Sequence, residues 1–156
     1  MIATVFPHVT GYVLAQTNPS GAHSTDDTVK HARRLVGLFE RSNIPRNRVC
    51  IKIPATLEGL RACRILNQQH NIRTLATTIF CVEQALAAVE EASCIYTSPY
   101  VNRLSVHFIP EAHVVYDDPM QMPGMKVTAE ATRQFRRRQL KAEVLSARCE
   151  PMTCRE

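Results

Sequence analysis

The sequence has few lysines, since only four of its 19 basic residues are lysine and the rest are arginine. It has no apolar stretch long enough to cross a membrane. Its six cysteines include no Cys-x-x-Cys pair, so they predict small core residues and no metal site. The first residues lack the basic stretch and long apolar core of a secretory signal. We therefore expect a reduced, cytoplasmic protein with no membrane partner.

Lys52 lies inside an apolar run, residues 49–56, that predicts a buried strand. An amine enclosed by apolar groups loses its proton more readily, which frees a lone pair for attack on a carbonyl. Arginine cannot do this, because guanidinium stays protonated. The run therefore makes this lysine a candidate Schiff-base nucleophile. The alternative is a lysine whose methylene chain packs against apolar groups while its ammonium group reaches water.

Three other segments also join an apolar strand to a polar C-terminal end, namely residues 12–19, 74–80 and 94–103. Apolar residues at helical spacing follow each of the first three strands, and Ser24 with Asp27 predicts a helix cap. Strands that alternate with helices indicate parallel βαβ units. In such sheets the functional residues lie at the C-terminal strand ends, where the polar residues of this sequence cluster.

Segments 48–60, 72–80 and 98–103 resemble the transaldolase family and its smaller relatives, the fructose-6-phosphate aldolases. The resemblance implies an α/β fold of the TIM-barrel type, a (β/α)₈ barrel that needs about 200 to 250 residues. This chain has 156 residues. We therefore expect one domain over residues 1–156 that forms an incomplete barrel of about five parallel βα units, the family's strands 3 to 7. Residues 105–127 predict an irregular loop.

The resemblance also implies roles for individual residues. Lys52 would form the Schiff base. Gln16 stands where transaldolases carry a glutamate and the aldolase branch a glutamine, which cannot exchange protons but can hold a water. Tyr100 matches an aromatic position at which the aldolase branch has tyrosine, and its phenol is a candidate acid/base. The remaining expected site residues are Thr77 in a water-binding wall, Ser98 and Asn18 near the substrate, and Arg103 on its phosphate.

The implied reaction transfers a dihydroxyacetone unit from a ketose phosphate to an aldehyde, as in carbohydrate metabolism of the pentose phosphate type. No cofactor is expected, because the iminium itself serves as the electron sink. A fructose-6-phosphate aldolase differs in that water ends the cycle. A third reading is a catalytically impaired remnant that serves as an assembly module. It is favoured by the missing strands and by Leu75, which replaces an asparagine of many transaldolases.

The formal net charge of +5 fits anionic sugar-phosphate substrates and also allows a nucleic-acid or anion-binding module. The densest basic cluster lies on a predicted helix. Its members are Arg133, Arg136, Arg137, Arg138 and Lys141. The sequence shows no interleaved aromatic residues and no nucleic-acid-binding motif, so we expect a solvated helix face and no nucleic-acid partner.

The expected loss of neighbouring strands predicts that the chain forms a homo-oligomer or binds a completing partner chain. Unpaired strand edges expose backbone donors and acceptors beside apolar surface. Light scattering at low micromolar concentration should therefore show a dimer or a larger species. A stable monomer with full transaldolase turnover would contradict this expectation.

Overall fold

The structure, a computed structural model, describes residues 6–101 and 118–146. Its strands are β1 (Val13–Gln16), β2 (Val49–Pro54), β3 (Arg73–Ile79), β4 (Tyr96–Pro99) and β5 (Glu143–Val144). Its helices are α1 (Thr25–Arg41), α2 (Leu57–His70), α3 (Val82–Glu90) and α4 (Pro123–Arg137). Short 3₁₀ turns occupy Phe6–His8, Pro19–Gly21, Arg46–Arg48 and Pro119–Gln121.

The five strands form one sheet in the order β1-β2-β3-β4-β5, and every neighbouring pair is parallel. Helices lie between consecutive strands, which confirms the predicted α/β fold with βα units. The strand limits differ slightly from the sequence pattern. β4 begins at Tyr96 although the apolar run begins at Cys94. Within the described residues, β5 comprises Glu143–Val144.

Local capping interactions define where the helices begin. The Ser24 hydroxyl accepts a hydrogen bond from the Asp27 amide at 3.2 Å, which confirms the predicted start of α1. The Thr56 hydroxyl accepts from the Gly59 amide at 2.9 Å and starts α2 in the same way. α4 begins at Pro123, whose fixed φ suits a first helical position. Residues 123–127 are therefore helical, although the sequence predicted that the irregular loop extends to residue 127.

The sheet has two different faces because side chains alternate along each strand. Val49, Ile51 and Ile53 of β2 join the main apolar core with residues of the helices, including Val36 and Phe135. α1 contacts β2, α2 contacts β2 and β3, α3 contacts β3 and β4, and α4 contacts β4 and β5. One face is thus covered by helices, and Lys52, which alternates with the core residues of β2, belongs to the other face.

The face that carries Lys52 is strongly curled. The rings of Tyr12, just before β1, and Tyr96 of β4 meet edge to face with centroids 6.0 Å apart. In a flat sheet, strands three places apart lie roughly 14 Å from each other. The guanidinium of Arg73 stacks on the Tyr12 ring at 5.3 Å. The start of β1 and β4 therefore approach each other across a concave interior.

The stagger of the strands matches that of a barrel. Gln16 and Tyr96 occupy one row of the sheet through the pairs Gln16–Lys52, Lys52–Leu75 and Leu75–Tyr96. Tyr12, which reaches Tyr96 across the interior, lies four residues before Gln16. An eight-stranded barrel with a shear of 8 advances about one residue per strand, or about three residues over three strands. Two side chains lie on one face of the sheet only when they are offset by an even number of residues. The observed offset of four residues between Tyr12 and Gln16 is the even number next above three, and it agrees with the curvature of a partial TIM-type barrel.

Gly59 allows α2 to approach the end of β2, and its replacement should destabilise the protein. A Cβ atom at this position would lie 2.1 Å from the carbonyl oxygen of Pro54. Because a backbone oxygen cannot move aside cheaply, Gly59→Ala should lower the free energy of unfolding by about 2 to 4 kcal/mol. Urea denaturation followed by circular dichroism measures this change.

Gly37→Ala is the matched control, because Gly37 also lies within a helix. There the nearest atom to a new Cβ is the Nη1 of Arg41, at 3.7 Å. This substitution should raise the free energy of unfolding by about 0.5 to 1 kcal/mol, as alanine loses less backbone entropy than glycine. Equal stability of the two variants would contradict the packing described for Gly59.

Candidate functional site

Strand pairing brings the predicted site residues into two neighbouring rows on the concave face. Gln16, Lys52 and Leu75 are paired in register across β1, β2 and β3. Two residues further along, Thr77 is paired with Pro54 on one side and with Ser98 on the other. Residues paired in register, and residues two apart on one strand, share a face of a sheet. Lys52, Thr77 and Ser98 therefore face the same interior.

Lys52 is the only half-buried residue of β2, whose other residues are all buried. Its carbonyl oxygen accepts hydrogen bonds from the Thr17 amide at 3.0 Å and from the Thr17 hydroxyl at 3.5 Å. In the described part of the chain, no carboxylate forms an ion pair with its amine. Leu75, its buried neighbour in the row, makes the adjoining wall apolar. The backbone of this lysine is thus held by hydrogen bonds, while none of the described acids pairs with its amine.

Thr77 places a hydroxyl in the interior without a protein partner. Its side chain is fully buried, and its Oγ1 has no hydrogen-bond partner among the described residues. Ser98 of β4, which is paired with Thr77, is also buried. A buried hydroxyl without a partner costs free energy, so this one is suited to bind a water or a substrate hydroxyl beside Lys52.

A β-bulge directly after Thr77 shapes the mouth of the interior. Thr78 has a positive φ of 61°, a strained conformation for a β-branched residue. The bulge changes the pairing so that Thr77 opposes Ser98 but Ile79 opposes Pro99. The next residue, Phe80, packs edge to face on Tyr100 with ring centroids 5.4 Å apart. Bulges often redirect side chains near active sites, and this one brings two aromatic rings together at the strand ends.

The loops at the same end of the sheet are tied together by side chains that the sequence pattern did not single out. Gln84 of α3 accepts a hydrogen bond from the Phe80 amide at 2.9 Å and donates to the carbonyl oxygen of Ala55 at 3.2 Å. It thereby joins the ends of β2 and β3. Thr56 donates to the carbonyl oxygen of Ala22 at 2.5 Å and joins the end of β2 to the loop after β1. A glutamine on a helix carries no sequence signal for such a role.

Two predicted site residues differ from Lys52 and Thr77 in their exposure or contacts. Gln16 is exposed at the end of β1, beside Lys52 in the row. The Asn18 side chain caps the turn after β1 by accepting from the Ser20 amide at 3.1 Å, so a substrate contact from Asn18 stays a prediction. Arg103 lies outside the described residues.

The basic cluster on α4 is partly neutralised by neighbouring acids. Arg133 pairs with Glu130 on the same helix. Arg138, just after α4, forms hydrogen bonds of 2.8 and 3.0 Å with both carboxylate oxygens of Glu90. Lys141 lies beyond the end of the helix. Two of the five basic residues of the cluster are thus paired with acids.

Among residues 6–101 and 118–146, no helix is long and apolar enough to span a membrane. Within the same ranges, no three histidine, cysteine, aspartate or glutamate side chains come together in a way that could hold a metal ion.

Comparison with known proteins agrees with this geometry. The sequence profile of the family described as "Transaldolase/Fructose-6-phosphate aldolase" matches residues 1–153. The transaldolases of Homo sapiens and Sus scrofa are each 28% identical to the chain over 145 residues. These alignments cover 93% of this chain but 43% of each relative. The transaldolase of Rattus norvegicus is 27% identical with the same coverage. The chain thus spans less than half the length of the curated relatives it matches.

Replacing Thr77 by valine should stabilise the protein, because it removes a buried hydroxyl that has no described partner. The expected gain in the free energy of unfolding is about 1 kcal/mol, measured by urea denaturation. Thr97→Val is the matched control. The Thr97 hydroxyl is equally buried and unpartnered, but Thr97 alternates with Ser98 and therefore lies on the helix-covered face. A clear loss of stability in Thr77→Val alone would show that the Thr77 hydroxyl is already hydrogen bonded within the protein.

Proposed function

Since the chain belongs to the transaldolase/fructose-6-phosphate aldolase family, we propose that it acts on a ketose phosphate through a Schiff base on Lys52. The observation that carries this proposal is the setting of that lysine. Its amine rises from an otherwise buried strand into a concave interior, with no described ion pair. A lysine amine that is not engaged by an acid is available to attack a carbonyl and form an iminium.

The proposed reaction begins when the lysine amine attacks the C2 carbonyl of the ketose. Loss of water gives an iminium, which draws electrons from the C3–C4 bond. This bond breaks as the C4 hydroxyl gives up its proton, and an aldehyde leaves. The remaining enamine adds to an acceptor aldehyde, and hydrolysis of the new iminium returns the free lysine. The whole cycle transfers a dihydroxyacetone unit, and we propose that it serves cytoplasmic carbohydrate metabolism of the pentose phosphate type.

The other site residues would manage protons and water around Lys52. The buried hydroxyl of Thr77 has no described partner. It is suited to hold the water that is released when the iminium forms and the water that later hydrolyses the iminium. Gln16, next to Lys52 in the row, can orient a water but cannot exchange a proton. The phenol of Tyr100 is therefore our candidate for the acid/base that serves the C4 hydroxyl.

A second candidate function is an aldolase that releases free dihydroxyacetone. It is favoured by the amide of Gln16 in the row of Lys52 together with a tyrosine at position 100. The two functions differ in their need for an acceptor. Release of glyceraldehyde 3-phosphate from fructose 6-phosphate should stop at about one equivalent per active site in a transaldolase without an acceptor aldehyde, whereas an aldolase should continue that release over many turnovers.

Borohydride trapping tests the Schiff base directly. Reduction of the protein in the presence of fructose 6-phosphate should add a sugar-derived mass to the peptide that contains Lys52, because borohydride converts an iminium to a stable amine. Lys52→Arg should abolish the adduct and any turnover, since a guanidinium does not form the iminium. Lys126→Arg, at an exposed position on α4, is the control and should keep both. The absence of an adduct on the unmodified chain would favour the catalytically impaired remnant.

Arg103→Ala tests the proposed phosphate contact. Loss of a charge-assisted hydrogen bond costs about 1.5 to 3 kcal/mol, so the KM for fructose 6-phosphate should rise by roughly 10- to 150-fold. The KM for unphosphorylated fructose should change little. Arg137→Ala, at an exposed position at the end of α4, should affect neither. Equal changes for both sugars would refute the assignment of Arg103 to the phosphate.

A further inference from the structure

One residue of the sheet has a backbone conformation that its own side chain disfavours. Thr78, at the bulge of β3, has a φ of 61°. The other described residues with a positive φ all lie within three residues of a helix end, namely Asn43, Asn71, Ser93 and Gln139. A left-handed residue commonly ends a helix, but a β-branched residue with this φ inside a strand is strained. Neighbouring groups must therefore hold Thr78 in this conformation.

The side-chain amide of Gln84 supplies such contacts. Its Nε2 donates to the carbonyl oxygen of Ala55 at 3.2 Å and to that of Thr78 at 3.5 Å. Its Oε1 accepts from the Phe80 amide at 2.9 Å and from the Cys81 thiol at 3.6 Å. A glutamine amide has two donor hydrogens and an oxygen that accepts two bonds, so this amide uses its full capacity. The four bonds hold the backbone on both sides of the bulge and tie it to the end of β2.

The residues that follow the bulge determine where Tyr100 lies. The Tyr100 amide donates to the carbonyl oxygen of Ile79 at 3.1 Å. Its ring meets the Phe80 ring edge to face, with an angle of 83° between the two planes. Phe80 is 45% exposed, so the core does not enclose its ring and its placement depends on its backbone, which Gln84 holds. A change in the bulge would therefore move two contacts of Tyr100 at once.

We propose that Gln84 is a positioning residue for the proposed reaction, because it holds the strained bulge that places Tyr100 at the mouth of the interior. This inference rests on the proposed function, in which Tyr100 serves the C4 hydroxyl as acid/base. Gln84 acts through the backbone of β3 and takes no part in proton transfer, since a carboxamide is neither an acid nor a base there. Strain favours relaxation of Thr78, and the bonds of Gln84 oppose it.

Gln84→Met tests this role, because it removes all four hydrogen bonds but keeps the length of the side chain and the helical propensity of α3. The kcat for fructose 6-phosphate should fall about tenfold, less than the 100-fold or more expected when a general acid/base is lost outright. KM should change by less than about twofold, because a displaced acid/base affects bond breaking rather than binding. An unchanged kcat, or a rise in KM alone, would overturn the proposal.

Gln134→Met is the matched control. Gln134 is also a half-buried glutamine on a helix, and its Nε2 donates to Glu130 of the same helix at 2.7 Å. This variant loses a hydrogen bond far along the chain from the bulge, and its kcat should equal that of the parent. A fall in kcat as large as that of Gln84→Met would show that loss of any such bond slows the protein, and would refute a specific role for Gln84.

Thr78→Gly separates strain from ordinary packing. Glycine adopts a positive φ at little cost, so the bulge no longer needs Gln84 in this background. Gln84→Met combined with Thr78→Gly should therefore have a kcat within about twofold of that of Thr78→Gly alone. A double variant that is slowed as much as Gln84→Met would overturn the proposal. If Gln84→Met alone fails to fold by circular dichroism, the double variant should still fold, and its failure to do so would be equally decisive.

Nuclear magnetic resonance tests the same arrangement without turnover. The ring protons of Phe80 and Tyr100 should show nuclear Overhauser contacts in the parent, since the two rings are packed edge to face. Gln84→Met should weaken these contacts, and the added Thr78→Gly should restore them. Unchanged contacts in Gln84→Met would refute the proposal even in an active protein. The expected contacts without a borohydride adduct on Lys52 of the parent would instead overturn the proposed function, and with it the catalytic purpose of the bulge.

Discussion

The alternation of side chains along β2 is the constraint on which the rest of the structure depends. Val49, Ile51 and Ile53 point toward the helices and form the core. A strand cannot bury these three residues without turning Lys52 to the opposite face. Parallel pairing then extends that choice across the sheet and aligns Gln16, Thr77 and Ser98 on the face of the lysine. The apolar core and the candidate site are thus two consequences of one register.

Curvature and loop contacts convert that face into an interior. The contact between Tyr12 and Tyr96 shows that strands three places apart approach each other, as the strand stagger of a barrel requires. At the other end of the strands, Gln84 and Thr56 hold the loops after β1, β2 and β3 together. Gly59 lets α2 pack against the end of β2 with no side chain between them. The site therefore rests on contacts that are distributed over most of the described chain.

Much of the fold could be predicted from sequence because it depends on local patterns. The helix cap at Ser24 and the alternation of strands and helices follow from short-range spacing. The prediction was wrong where a local signal was misleading. Pro123 was taken as part of an irregular loop, but it occupies the first position of α4, where a proline needs no amide hydrogen bond.

The sequence by itself determined that the chain forms an α/β sheet, that Lys52 interrupts a buried strand and that its motifs resemble those of a Schiff-base aldolase family. Only the tertiary structure showed that the Thr77 hydroxyl, on the face of that lysine, is fully buried without a hydrogen-bond partner among the described residues. It alone placed the bulge at Thr78 and brought the Thr74 hydroxyl to the sulfur of Cys94. The physical reason is that periodicity is a property of neighbouring residues. Contacts between distant residues depend on how the sheet curls and how each helix packs against it.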